Sequence, residues 1–141
     1  MKKYAILLYL TIFISSVDAQ KNTLLIEAES FSEKGGWVTD QQFMDQMGSP
    51  FLMAHGLGIP VKNAKTEILF PAKGKYRLFV RTRNWAARWT NKDVPGKFQV
   101  LVNGKAAVPE FGTESADWSW QDGGWIDVSK TKTQIELKDL T

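Results

Sequence analysis

The sequence predicts an all-β sandwich or barrel. Short apolar-alternating runs recur along it, Gly, Pro, Asn and Asp punctuate them, and no window carries a sustained helical stripe. Several short strands separated by regular turn signals are the pattern of a two-layer β protein.

Residues 24–29, Leu-Leu-Ile-Glu-Ala-Glu, read as a first strand that sets Glu27 and Glu29 on one face, because side chains alternate with period two. Residues 65–70 read as a second. Pro71 to Gly74 then make a turn, since proline presets one turn dihedral and glycine accepts the unusual ones. The clearest strand covers residues 75–83. Tyr76, Leu78 and Val80 form its core face, and Arg77, Phe79, Arg81 and Arg83 its outer face. Residues 97–102 repeat the pattern with Phe98, Val100 and Val102 inward, and Asn103-Gly104 is a strong hairpin signal. Residues 125–128 and 133–137 give two more strands. Residues 40–47, with Phe43, Met44 and Met47 at helical spacing, are the one candidate for a turn or two of helix.

Ahead of these elements the chain has a different character. Lys2 and Lys3 precede an apolar run over residues 4–14, and Val17-Asp18-Ala19 places small residues at both recognition positions of a cleavage site. This is the layout of a secretory signal peptide. The apolar run is about half the roughly 20 residues that a membrane-spanning helix needs. The expected domains are therefore a signal peptide over 1–19 and a β-sandwich domain over 20–141. The protein is expected to be exported to the periplasm or outside the cell, with no membrane span after cleavage.

Loss of Lys2, Lys3 and Asp18 with that segment lowers the formal charge from +3 to +2. Lys and Arg are interleaved with Asp and Glu throughout, which argues against nucleic acid as a partner. The chain has no cysteine, so disulfide staples, thiol catalysis and thiolate metal sites are excluded. Its single histidine, His55, leaves no multi-histidine zinc site. His55 lies in a glycine-rich turn and no Gly-x-Ser-x-Gly elbow surrounds Ser49, so a structural role is expected of it.

Three stretches carry a resemblance: Ile26-Glu27-Ala28-Glu29-Ser30, residues 74–81 (Gly-Lys-Tyr-Arg-Leu-Phe-Val-Arg), and Val102-Asn103-Gly104. In this order they resemble the jelly-roll carbohydrate-binding modules of families 6 and 35, within the galactose-binding-like sandwiches. Residues 35–42, 47–50, 54–58, 81–85 and 118–124 also resemble the domain beside the catalytic part of secreted bacterial FAD-dependent oxidoreductases. Those longer strings are the more specific. The resemblance implies a jelly-roll β-sandwich lacking its last strand, since the family pattern runs past Thr141 into a final strand bearing an aspartate. It also implies a structural calcium, with Glu27 and Glu29 as metal ligands. FAD enters only with the missing catalytic domain: no Gly-x-Gly-x-x-Gly segment is in this chain.

The tryptophans are the candidate binding groups, because flat rings stack on the apolar face of a pyranose at low side-chain entropy cost. Trp85 and Trp89 lie in the long connection before residue 97. Trp118 and Trp120 read as part of a second loop before Asp122-Gly123-Gly124. Arg83, Asn84, Arg88 and Asp122 would supply polar contacts to the same glycan. Trp37, Trp120 and Trp125 are also readable as core or domain-docking residues. The outward arginines Arg77, Arg81 and Arg83 suit a uronate, or more simply a solvated or ion-paired strand face. No catalytic residue is expected. The function these features point to is a noncatalytic glycan-binding module, with docking against a catalytic flavoenzyme domain as the alternative.

Overall fold

A computed structural model describes residues 23–56, 58–84 and 96–141. The signal segment expected over 1–19 lies outside the described residues. The fold is all-β, and every strand pairing is antiparallel. Strands β1 (Trp37–Asp40) and β2 (Phe51–Ala54) pair with each other, bracketing one helical turn, α1 (Met44–Met47). Strands β3 (Ala64–Leu69), β5 (Phe98–Val102), β6 (Lys105–Ala106) and β8 (Lys132–Asp139) form a sheet in the order β3-β8-β5-β6. Strands β4 (Gly74–Thr82) and β7 (Ser119–Val128) form another pair.

Chain order and spatial order differ in an informative way. β3 and β4 are consecutive but lie in different sheets, as do β7 and β8. The chain thus crosses repeatedly between two layers, and the layers close on one core. Ala64, Val100, Val102, Ile135 and Leu137 come to it from the four-stranded sheet. Ile126 and Val128 come from β7, with Tyr76, Leu78 and Val80 of β4 packed against them. Phe111, fully buried between the strands, joins both sets.

Most of the predicted strands form where expected, with the alternation of β4 and β5 in the predicted phase. The Asn103-Gly104 turn joins β5 to β6 with φ of 49° and 79°, the left-handed pair that a tight hairpin of this type requires.

Two expectations need correction. The strand over residues 24–29 does not form: Ala28–Ser30 is a single 3-10 turn. Ser30 Oγ donates to the Glu27 carbonyl at 2.6 Å and the Ser30 amide donates to it at 3.1 Å. A short hydroxyl side chain here offers the backbone a local partner in place of a sheet ladder. Glu27 and Glu29 consequently share no strand face.

The second correction is larger. Residues 119–124 are not a loop but the first half of β7. The Gly123-Gly124 pair, which looks like a turn signal, is a β-bulge. Leu78 faces Gly124 and Phe79 faces Asp122, leaving Gly123 as the extra residue. Gly124 has φ of 75°, in the left-handed region that glycine accepts without strain. A Cβ on Gly123 would stand 2.7 Å from Leu78 and 2.9 Å from Phe111. Gly123→Ala is therefore expected to destabilise the fold by about 1–3 kcal/mol through overpacking. A urea-melt midpoint equal to that of the parent would show that the core can yield there.

Candidate functional site

Two neighbouring regions of the molecule hold aromatic residues that lie outside the main core cluster. One lies at the exit of β4, where Trp118 packs edge-on to Phe51 with ring centroids 5.0 Å apart and to Phe43 at 6.1 Å. Phe43 and Phe51 stack on each other at 5.8 Å. The Arg83 guanidinium lies 4.3 Å from the Phe43 ring centroid, and its Nε donates to the Ala116 carbonyl at 2.7 Å. Asn84 is buried: its amide N–H donates to the Ser115 carbonyl at 2.6 Å, and its Nδ2 donates to the Thr113 carbonyl at 3.1 Å. Arg83 and Asn84 thus fasten the end of β4 to the segment leading into β7. Trp85, Arg88 and Trp89 lie outside the described residues.

The other region is the outer face of the β4–β7 pair. Across the strands Arg81 faces Trp120, Phe79 faces Asp122, Arg77 faces Trp125 and Lys75 faces Asp127. The bulge creates this alignment. Before it the outward residues of β7 are even-numbered, Trp120 and Asp122; after it they are odd-numbered, Trp125 and Asp127. Trp120 is 59% exposed, Phe79 53% and Trp125 66%. Neither Trp120 nor Trp125 is a core residue, whereas Trp37 is one, buried with its ring edge-on to Phe98 at 5.7 Å.

The polar groups of that face are organised around Asp122. Arg77 Nε donates to Asp122 Oδ1 at 2.9 Å, and Arg77 Nη2 makes a second, shorter bond to Oδ2. Planar fork meets planar carboxylate, the geometry arginine provides and lysine does not. Gly124 N–H also donates to Oδ1 at 2.9 Å. The same guanidinium lies 5.4 Å from the Trp125 ring centroid. Arg77 and then the Gly124 amide hold the Asp122 carboxyl below its ordinary range, and the bond to Asp122 raises Arg77 in turn. Arg81 turns to the end of α1, where Nη1 donates to the Met47 carbonyl at 3.2 Å and Nη2 to the Gln46 carbonyl at 3.1 Å.

The predicted binding set is therefore divided. Trp118, Arg83 and Asn84 serve internal packing, and Trp120 and Asp122 lie on the outer sheet face. Trp125 and Phe79 join that face although neither is among the predicted binding residues. The signal for Phe79 is its place between two outward arginines; for Trp125 it is the odd spacing from Trp120 across two glycines.

Other candidates hold less. Glu27 is exposed and Glu29 half-buried, and among the described residues no three His, Asp or Glu gather to hold a metal ion. Calcium takes six to eight oxygens, so these two carboxylates would need backbone carbonyls and another acid beside them. His55 is exposed beyond β2. An open polar cleft of about 390 Å³ lies beside β3, lined by Ser32, Glu33, Lys65, Thr66, Glu67 and Gln134. Its carboxylates are already paired, Glu33 with Lys65 at 3.2 Å and Glu67 with Lys132 at 2.8 Å.

Fold and surface together define an all-β domain of antiparallel sheets with an aromatic outer face. Compared with known proteins, the chain matches no family model, no curated protein and no solved structure.

The pairing of Asp122 has a measurable consequence. A carboxyl whose pKa is lowered on folding adds stability above its unfolded-state pKa and loses it as pH falls through the lower folded value. The contribution is small for so exposed a pair. In a carboxyl-carbon NMR titration, Asp122 should have its midpoint below the ordinary aspartate value, and Arg77→Gln should move it back up. An unmoved midpoint in that variant would show that Arg77 is not the cause.

Proposed function

We propose that this chain is a noncatalytic glycan-binding module, exported from the cell and built on a jelly-roll sandwich of the galactose-binding-like kind. The observation that carries the reading is the row of exposed rings on the β4–β7 face, Trp120, Phe79 and Trp125, with the Arg77–Asp122 pair among them. Large rings are seldom left in water on a rigid strand face without a partner, and exposed aromatic patches of this kind mark interaction surfaces. A pyranose offers a flat C–H face to such rings and hydroxyls to the charged pair between them. The resemblance to carbohydrate-binding modules of families 6 and 35 supports the same reading. Trp85, Arg88 and Trp89, named as candidate glycan contacts from the sequence, lie outside the described residues.

The second reading uses the same face differently. Resemblance to the domain beside the catalytic part of secreted FAD-dependent oxidoreductases supports Trp120, Phe79 and Trp125 as a docking surface for that catalytic domain. The purified chain applied to an array of plant and host glycans separates the two. Binding to at least one glycan class, weakened in Trp120→Ala with an unchanged melting temperature, is the expected result. A folded protein that binds nothing on the array would remove the glycan reading and leave docking as the account of the exposed rings.

A further inference from the structure

Resting on the glycan reading, we infer that the β4–β7 face takes an uncharged, extended polysaccharide chain laid along the strands. Trp120 and Trp125 are its two stacking platforms, and Arg77 and Asp122 read hydroxyls between them.

Length is the first argument. Trp120 faces Arg81 and Trp125 faces Arg77, four residues apart on β4. At about 3.3 Å per residue the two platforms stand roughly 13 Å apart. That span exceeds a single sugar, so both rings are used only by a chain of several units. Phe79, between them on β4, adds apolar floor without a polar edge.

Charge is the second argument. A uronate needs a guanidinium fork that is open to it, and the three arginines of the predicted cationic row each have an internal partner. The Arg77 fork is closed on Asp122, Arg81 is bonded to the Gln46 and Met47 carbonyls, and Arg83 donates to Ala116 and covers Phe43. A carboxylate laid on this face would meet Asp122 at its centre. Hydroxyls meet a different environment. Arg77 Nη1 makes no hydrogen bond or ion pair among the described residues, and the Asp122 oxygens retain acceptor capacity beyond their three donors. A donor and an acceptor side by side match a vicinal diol.

Affinity electrophoresis of the purified chain tests this. The neutral probes are galactomannan, arabinoxylan and mixed-linkage β-glucan; the acidic ones are polygalacturonate and alginate. The expected result is retardation by at least one neutral polymer, little changed by added salt, and none by the uronates. Trp120→Ala and Trp125→Ala, whose side chains are exposed, should each weaken it about tenfold without lowering the melting temperature. Retardation by uronates alone, fading as salt rises, would overturn the uncharged ligand. Neutral binding that survives both tryptophan variants would move the site elsewhere while leaving the glycan reading intact. A folded protein that no polymer retards would end both.

Discussion

One extra residue in β7 sets the character of both surfaces of the β4–β7 sheet. Side chains on a strand alternate, so a strand that begins with Trp120 and Asp122 outside would continue with Ile126 and Val128 outside as well. The sequence around Gly123 and Gly124 breaks that rule once. After the bulge Ile126 and Val128 enter the core, and Trp125 and Asp127 join Trp120 and Asp122 on the opposite face. Burying a side chain of this size contributes about 1.5–3 kcal/mol, so the phase change stabilises the fold as it assembles the aromatic face. Only small residues suit the position: Gly123 abuts Leu78 and Phe111, and Gly124 turns through positive φ.

The long connections are held by buried polar side chains. Gln121, inward on β7, donates from Nε2 to the Glu110 carbonyl at 2.8 Å and accepts from the Gly112 amide at 3.2 Å. It pins the segment that delivers Phe111 to the centre of the core. Asp139, buried at the end of β8, accepts from the Val61 amide at 2.9 Å and from the Thr141 amide at 3.2 Å. Asn84 does the same for residues 113–115. Irregular segments must satisfy their backbone groups somewhere, and here side chains on or beside the strands supply the partners. The frame beneath the aromatic face is accordingly tied on several sides.

The strands that could be read directly were those with a long enough alternation. β4 alternates over residues 76–80 and β5 over 98–102, where an Asn-Gly turn follows, and both appear in the predicted phase. β1, β2 and β6 are four residues or fewer, too short for any period to show; β1 and β2 pair across the connection that holds α1, and the Asn103-Gly104 turn brings β6 to β5. Residues 24–29 failed for the opposite reason: their alternation is good, but Ser30 closes a local turn on Glu27. The site was legible in its residue types and not in its grouping. Trp118 and Trp120 are neighbours in sequence, yet one turns into the Phe43–Phe51 cluster and the other faces out. Two glycines carry opposite meanings in a turn and in a bulge, and the pairing partner decides which applies. That partner, Leu78 against Gly124, is more than forty residues away, beyond the reach of any local pattern.

The bulge also prepares the face it creates. Gly124 N–H holds Asp122, Asp122 holds the Arg77 fork, and Arg77 lies against the Trp125 ring. Each contact is modest, since every group in the series is exposed and screened. Their effect is on order. A tryptophan free to rotate must be immobilised when a ligand stacks on it, at a cost of roughly 0.5–1.5 kcal/mol per side chain. Trp125 is already restrained by a cation that is itself fixed at two points. Among the described residues no cation lies against the Trp120 ring, and Arg81 opposite it has its guanidinium turned toward α1. The two exposed rings therefore differ in kind: Trp125 has a fixed cation beside it, and Trp120 faces an arginine engaged elsewhere.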